Sequence, residues 1–508
     1  MAFGLSISPR PVGFVVSRYP DGLIVTRRTQ FRILVALTLG WLVWAGLSFV
    51  DRPEPFTLRV VDDVGSPIDQ AVVAKGSRQL GLTGADGLVV LDSSDIPVEV
   101  SAPGHLPTTL SLPTKGSAMV DAVLKARLLR GRVVDASGRP VADAVVTAGS
   151  GAAISDAGGR FTVRGAEPGV VTVERPAWAT ASLDWAGGPG ETEVEMEPLT
   201  IKAVHITGEA VEERFDEFVD MAEGTELNAL MIDLKEESGL VAYNSEVPLV
   251  AQVGADAARF DLGEIVSVAR RHDLYLIGRI VAFQDPIAAV HAPEMSVWDT
   301  ATQAPFESNG QLFLDPTDPD ARAYALDLAA EACDMGLDEV QFDYVRFPDT
   351  RPDSISFKAG VTADIRTEAI RSFLVEAVSI LHPMGCAVAA DVFGFVTTAQ
   401  DDGGIGQNWV DIAAVVDVAS PMIYPSHYSA GWYGFDQPGD HPGPVVEQAL
   451  TDGLSRLPRQ VVVRPWLQDF GYDASQVRAQ IEMAESHGLG WMLWNAFSNV
   501  STDALSSD

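Results

Sequence analysis

The chain has 508 residues, with 70 acidic against 35 basic side chains and a formal charge of −35. So negative a chain repels phosphate backbones, which argues against nucleic acid as a partner. Two cysteines cannot build a disulfide framework or a cysteine-rich zinc site, while 47% hydrophobic residues are ample for folded cores.

Residues 33–50, ILVALTLGWLVWAGLSFV, form an uncharged run of eighteen. A helix there spans roughly 27 Å, close to the ~30 Å hydrocarbon core of a bilayer. Arg10, Arg18, Arg27, Arg28 and Arg32 precede it, opposed by Asp21 alone. The positive-inside rule then predicts residues 1–32 in the cytoplasm, a signal-anchor at 33–50 and residues 51–508 outside. Cleavage near Gly46-Leu47-Ser48 and secretion is the alternative. Against it, the n-region and the apolar core are both longer than those of ordinary signal peptides, whose cores run roughly 7–15 residues.

Two β-rich units follow, at 56–125 and 126–198. RVVDDVGSPIDQAVV at 59–73 matches RVVDASGRPVADAVV at 132–146, an offset of 73 residues that marks a duplication. Short β-branched runs between Gly, Pro and Asp turns predict small antiparallel sandwiches. The run GRVVDASGRPVADAVV, followed by DAGGRF, resembles the carboxypeptidase regulatory-like domain. That resemblance implies a spacer or accessory module, here a stalk, with carbohydrate binding as the other role.

From residue 199 to 508 the pattern alternates. Strands are predicted at 202–207, 229–234, 274–283, 339–344, 387–393, 415–424, 461–467 and 490–495. Helices are predicted between them at 211–222, 262–271, 319–335, 363–382, 444–455 and 474–487. Near-continuous apolar strands joined by helices predict a buried parallel sheet, and eight units fit a (β/α)₈ barrel. Chemistry in such barrels sits at the C-terminal strand ends.

Those ends carry Asp233 and Lys235, then Asp343, Tyr344 and Arg346, then Asp391. Tyr424 and His427 follow the sixth strand, Trp466 and Asp469 lie at the seventh, and Trp494 and Asn495 close the eighth. Carboxylates inside apolar runs such as VQFDYV and AVAADVFGF are costly unless paired or used. Paired carboxylates at one cleft are what glycoside hydrolysis needs, one donating a proton while the other attacks or activates water. Asp343 and Asp391, on adjacent strands, form the expected pair, with Asp469 in reserve as the acid. Asp233, Lys235, Tyr344, Arg346, Tyr424, His427, Trp466, Trp494 and Asn495 are the expected sugar contacts, aromatic faces suiting the apolar faces of sugar rings. Ion pairing to Lys235 or Arg464 is the structural alternative for Asp233 and Asp469. Asp315 reads as a helix cap, and Cys333 and Cys386 as core. No histidine pair has zinc spacing and no sequence feature asks for a cofactor.

NALMIDLKEESGLVAYNS, LFLDPTDPDARAY, DEVQFDYVRFP, SPMIYPSHY and GWMLWNAFSN, in this order, resemble a bacterial domain family of unknown function described as a glycosyl hydrolase. The resemblance spans essentially all of 200–500 and implies a glycosidase-like barrel distantly similar to the alpha-amylase and alpha-galactosidase type. It implies Asp343 as nucleophile and Asp391 as the nearest candidate acid. The expectation is a membrane-anchored glycoside hydrolase acting on a cell-wall or extracellular polysaccharide. A transglycosylase would use the same residues. The alternative from another class is a catalytically inactive carbohydrate-binding or envelope-scaffolding barrel.

Overall fold

Beyond residue 200 the strands are buried on both faces, and parallel pairing closes them on themselves. Among the described residues the barrel has eight strands: β1 (Lys202–Ile206), β2 (Ala229–Lys235), β3 (Tyr275–Val281), β4 (Glu339–Asp343), β5 (Ala387–Phe393), β6 (Val418–Ile423), β7 (Trp466–Gln468) and β8 (Trp491–Trp494). Each pairs in parallel with its neighbours, and β1 joins both β2 and β8. The expected α/β barrel is present, its strands within a few residues of their predicted bounds. The seventh is broken: Val462–Val463 and β7 are separate pieces, because Pro465 between them has no N–H to donate.

The computed structural model describes residues 32, 35–39, 55–92, 97–111, 119–349, 351, 353–458 and 460–507. Of the expected anchor at 33–50, all but residues 35–39 lies outside the described residues. Among the described residues no helix is long and apolar enough to cross a membrane.

The connecting helices include α1 (Gly208–Glu223), α2 (Leu262–Arg271), α3 (Pro319–Asp334), α4 (Ala363–Leu381), α5 (Trp409–Ala413), α6 (Pro442–Ser455) and α7 (Ala474–Ser486). Most begin at a short polar residue whose side chain accepts from first-turn N–H groups, among them Asp261, Thr362 and Asp473. The cap of α3 is Asp318, not Asp315 as expected. Asp315 instead accepts from Thr317 and from the Lys358 backbone, tying down the loop after β4. Proline at position 319 explains the shift, since it belongs in the first helical turn and puts the cap one residue before it.

The two β-units differ from expectation in one respect. In each, the first strand pairs antiparallel with the fourth but parallel with the last: Pro55–Asp62 with Met119–Leu124, and Leu128–Val134 with Glu191–Glu195. Four further strands form the second sheet of each sandwich. The repeat extends to single hydrogen bonds. The Thr83 hydroxyl accepts from Ala71 N and donates to Ile68 O, as the Ser155 hydroxyl accepts from Ala144 N and donates to Val141 O. The described residues up to 125 form one compact unit and those from 126 onward another. Within the latter, the core of the second sandwich runs on into Ala387, Ala389 and Val418, at the starts of β5 and β6. Gln460 reinforces the junction by donating to Asp135 and accepting from Arg175. The second sandwich therefore sits against the N-terminal end of the barrel and leaves the C-terminal end open.

Cys333, near the end of α3, and Cys386, at the start of β5, were expected as core residues; they are joined in a disulfide. The bridge closes a loop across 53 residues of sequence, for which the chain-entropy account allows about 4 kcal/mol. Cys333→Ser with Cys386→Ser is expected to lower unfolding free energy by about 2–4 kcal/mol in urea titration. Reductant should do the same to the wild type and nothing to the variant.

Candidate active site

Successive strand residues face opposite ways, so residues two apart share a face. On β1 to β5 the odd-numbered positions turn inward: small apolar groups such as Ala203, Ala229 and Ile277 lie low in the barrel, and polar ones above. The upper layer comprises His205, Asp233, Arg279, Gln341, Asp343 and Asp391, all at least nine-tenths buried.

Arg279 organises this layer. Its Nε and Nη2 donate to Asp343 Oδ2 at 3.0 and 2.5 Å, Nη1 donates to Asp233 Oδ1 at 2.8 Å, and Nη2 also meets Glu237. Register places Arg279 directly beside Asp233 on β2. His205 Nε2 lies 2.9 Å from the other Asp233 oxygen, and Nδ1 lies 2.9 Å from the Asn495 carbonyl. Burial raises the Asp233 pKa, but His205 and Arg279 outweigh it and bring it down to about 2. The carboxylates around Arg279 hold its guanidinium pKa well above the usual arginine value, against the opposing effect of burial. Trp494 lies over both side chains, stacked on His205 at 4.0 Å and 4.8 Å from the Arg279 guanidinium carbon.

Above this layer opens a cavity of about 850 Å³. Seven of the expected site residues line it: Asp343, Tyr344, Arg346, Tyr424, His427, Trp466 and Trp494. Tyr344 has a φ of 48°, a left-handed conformation uncommon for a side chain of this size, and its N–H donates back to Asp343 Oδ1 at 2.6 Å. That turn brings Tyr344 and Arg346 onto the cavity wall. The Arg346 guanidinium lies 5.2–5.4 Å from the rings of Phe313, Tyr344 and Phe393. Burial lowers the His427 pKa, which favours the neutral ring.

The other five expected residues have different places. Asp391 lies below the cavity with no exposed surface; Trp466 Nε1 donates to its Oδ1 at 2.7 Å and Gln341 to the same oxygen. Its Oδ2 has no hydrogen-bond partner among the described residues. Burial, then the charge of Asp343, pushes its pKa well above the carboxylate range, although Arg279 and the two donors oppose this. Asp469 is spent on Ser501, accepting from its N–H and hydroxyl. Asp233 pairs with His205 and Arg279, not with Lys235. Lys235 instead pairs with Asp285 at 2.9 Å and donates to Val281 O, while Arg464 pairs with Glu339. Asn495 ties its own loop, accepting from Phe497 N and Asn499 N. None of these five lines the cavity.

Sequence reasoning missed His205, Arg279 and Glu237. The signal for the first two was present: each is an ionisable group within an apolar stretch of strand, at the inward-facing parity of the aspartates. Glu237 lies in a turn and carried no such mark.

The raised Asp391 pKa has a measurable consequence. A carboxyl whose folded pKa lies above its unfolded value contributes most at low pH, and that contribution is lost as pH rises from the ordinary carboxylate range through the raised value. Asp391→Asn cannot ionise. Its thermal midpoint is expected to match the wild type near pH 4 and exceed it increasingly as pH rises to 8.

Residues 203–499 match the DUF4015 family, described as "Putative glycosyl hydrolase domain". No curated protein matches the chain. Among solved structures, a hypothetical protein from Ruminiclostridium thermocellum ATCC 27405 is 34% identical over 37% of this chain and 97% of its own, with a TM-score of 0.34. The PgaB (BpsB) glycoside hydrolase domain from Bordetella bronchiseptica is 12% identical over 61% of this chain and 99% of its own, with a TM-score of 0.46. The glycoside hydrolase domain of PelA from Pseudomonas aeruginosa is 11% identical over 59% and 96%, with a TM-score of 0.34. The family match runs from within β1 to beyond β8 and so encloses the barrel and its cavity: this chain belongs to that glycosyl hydrolase domain family.

Proposed function

We propose that the protein is an extracytoplasmic, membrane-tethered glycoside hydrolase that cleaves a cell-wall or extracellular polysaccharide, with Asp343 as its nucleophile or base. The observation that carries this reading is the placement of Asp343. It stands at the C-terminal end of β4, on the wall of the cavity, oriented by Arg279 from the side and by Tyr344 N–H from behind. A carboxylate fixed in this way can attack an anomeric carbon or activate a water beside it. Tyr424, Trp432, Trp466 and Trp494 supply flat apolar faces around it, and Arg346 supplies a polar contact for hydroxyls.

Location outside the cytoplasm is supported by the arginine-flanked apolar run at 33–50 and by the Cys333–Cys386 disulfide, a bond that persists in oxidising compartments. The second reading, a silent sugar-binding barrel, draws on one observation: Asp391, the expected acid, has no surface in the cavity.

The test is a panel of bacterial cell-wall and exopolysaccharides incubated with wild type and Asp343→Asn. Wild type is expected to release reducing ends, and the variant to lose at least about a thousandfold in rate while still unfolding cooperatively, its thermal midpoint lowered by the lost ion pair with Arg279. Trp432→Ala is expected to raise KM several-fold at constant kcat, since its ring reaches the cavity from a loop above the Asp343–Arg279 layer. Binding without turnover by wild type would establish the silent reading.

A further inference from the structure

Resting on the glycosidase reading, we propose that Glu237 is the second catalytic carboxylate, the acid/base partner of Asp343, and that the enzyme retains anomeric configuration. Glu237 and Asp343 both line the cavity, whereas Asp391 and Asp469 do not. The Glu237 side chain is 34% exposed, so it is open to a leaving group. Both carboxylates are bound to one atom, Arg279 Nη2. Two oxygens hydrogen-bonded to the same nitrogen stand at most about 6 Å apart. Carboxyl groups gathered on one nitrogen suit the close spacing of retaining enzymes, roughly 5–5.5 Å, better than the roughly 6.5–9.5 Å of inverting ones, which must seat a water between.

The turn that presents Glu237 is built for a fixed position. Gly239 N donates to Glu236 O, and Gly239 has a φ of 85°. A Cβ there would come within 2.5 Å of Asp285 Oδ1. Asp285 is itself held by Lys235 and by the first turn of the helix Pro286–His291. The buried Lys235–Asp285 pair thus forms the base on which the Glu237 turn rests.

In the first step an Asp343 oxygen bonds to the anomeric carbon as the glycosidic C–O bond breaks, and the leaving oxygen takes the proton of the Glu237 carboxyl. In the second, the Glu237 carboxylate takes a proton from water. The water oxygen bonds to the anomeric carbon, and Asp343 leaves with its electron pair. Arg279, touching both groups, stays bound to whichever is charged.

The experiment compares wild type, Glu237→Gln and Glu237→Ala on the polysaccharide that wild type cleaves and on the 2,4-dinitrophenyl glycoside of the same sugar, whose leaving group needs no proton. The Gln variant is expected to lose at least a hundredfold on the polysaccharide and to form glycosyl-enzyme from the aryl glycoside at a near-normal rate. The Ala variant is expected to be rescued by azide, giving a glycosyl azide of retained configuration, and the wild-type product to show retention by NMR. Equal losses on both substrates without azide rescue, or inversion, overturn the assignment while leaving the glycosidase reading intact. Wild type that cleaves nothing overturns both. Glu237→Asp, with its carboxyl intact, is expected to keep partial activity, and a thermal midpoint for each variant excludes misfolding.

Discussion

A buried guanidinium holds the mouth of this barrel together. Arg279 has no exposed surface, yet it contacts Asp233, Glu237 and Asp343 and lies against Trp494. Removing one partner from such a set typically costs about 3–5 kcal/mol, because the charges left behind have no water to turn to. The arrangement is therefore self-enforcing: each carboxylate needs Arg279, and Arg279 needs several of them. The same bonds aim Asp343 at the cavity. Arginine suits this place better than lysine, since its planar fork can meet three carboxylates in fixed directions at once.

The rest of the fold can be read as support for that layer. Within it, Asp391, held by Gln341 and Trp466, is a group that prefers to be neutral. A neutral neighbour adds no further negative charge beside Asp343. Lower still, the second sandwich continues the core at the starts of β5 and β6. Water and substrate are thereby directed to the C-terminal end, where the loops after β4, β5 and β6 supply most of the cavity wall.

Several elements were legible in the sequence for plain reasons. The strands are apolar on both faces because a parallel barrel buries both, and 387–393 matches β5 residue for residue. Asp343 could be singled out because a long loop, not a helix start, follows it. Other residues of equal promise went elsewhere. Asp469 and Asn495 look like site residues by position, but their hydrogen bonds close the loop after β8 and the C-terminal segment. Lys235 next to Asp233 in the strand suggested an ion pair, yet a register shift between them gives each its own partner: Asp285, the cap of the helix Pro286–His291, for Lys235, and Arg279 on β3 for Asp233. The seventh strand, expected unbroken over 461–467, is instead interrupted at Pro465, which has no N–H to donate.

By itself the sequence determined the duplication of the sandwiches, the barrel and the end of it that carries chemistry. These follow from periodicity and turn residues, which act locally and leave a mark every two or three residues. Only the tertiary structure decided which charged groups meet. His205, Asp233, Glu237, Arg279 and Asp343 come from four strand ends far apart in the chain, and a bond between such groups depends on register and side-chain reach. Those are set by closure of the barrel as a whole, and no local pattern records them.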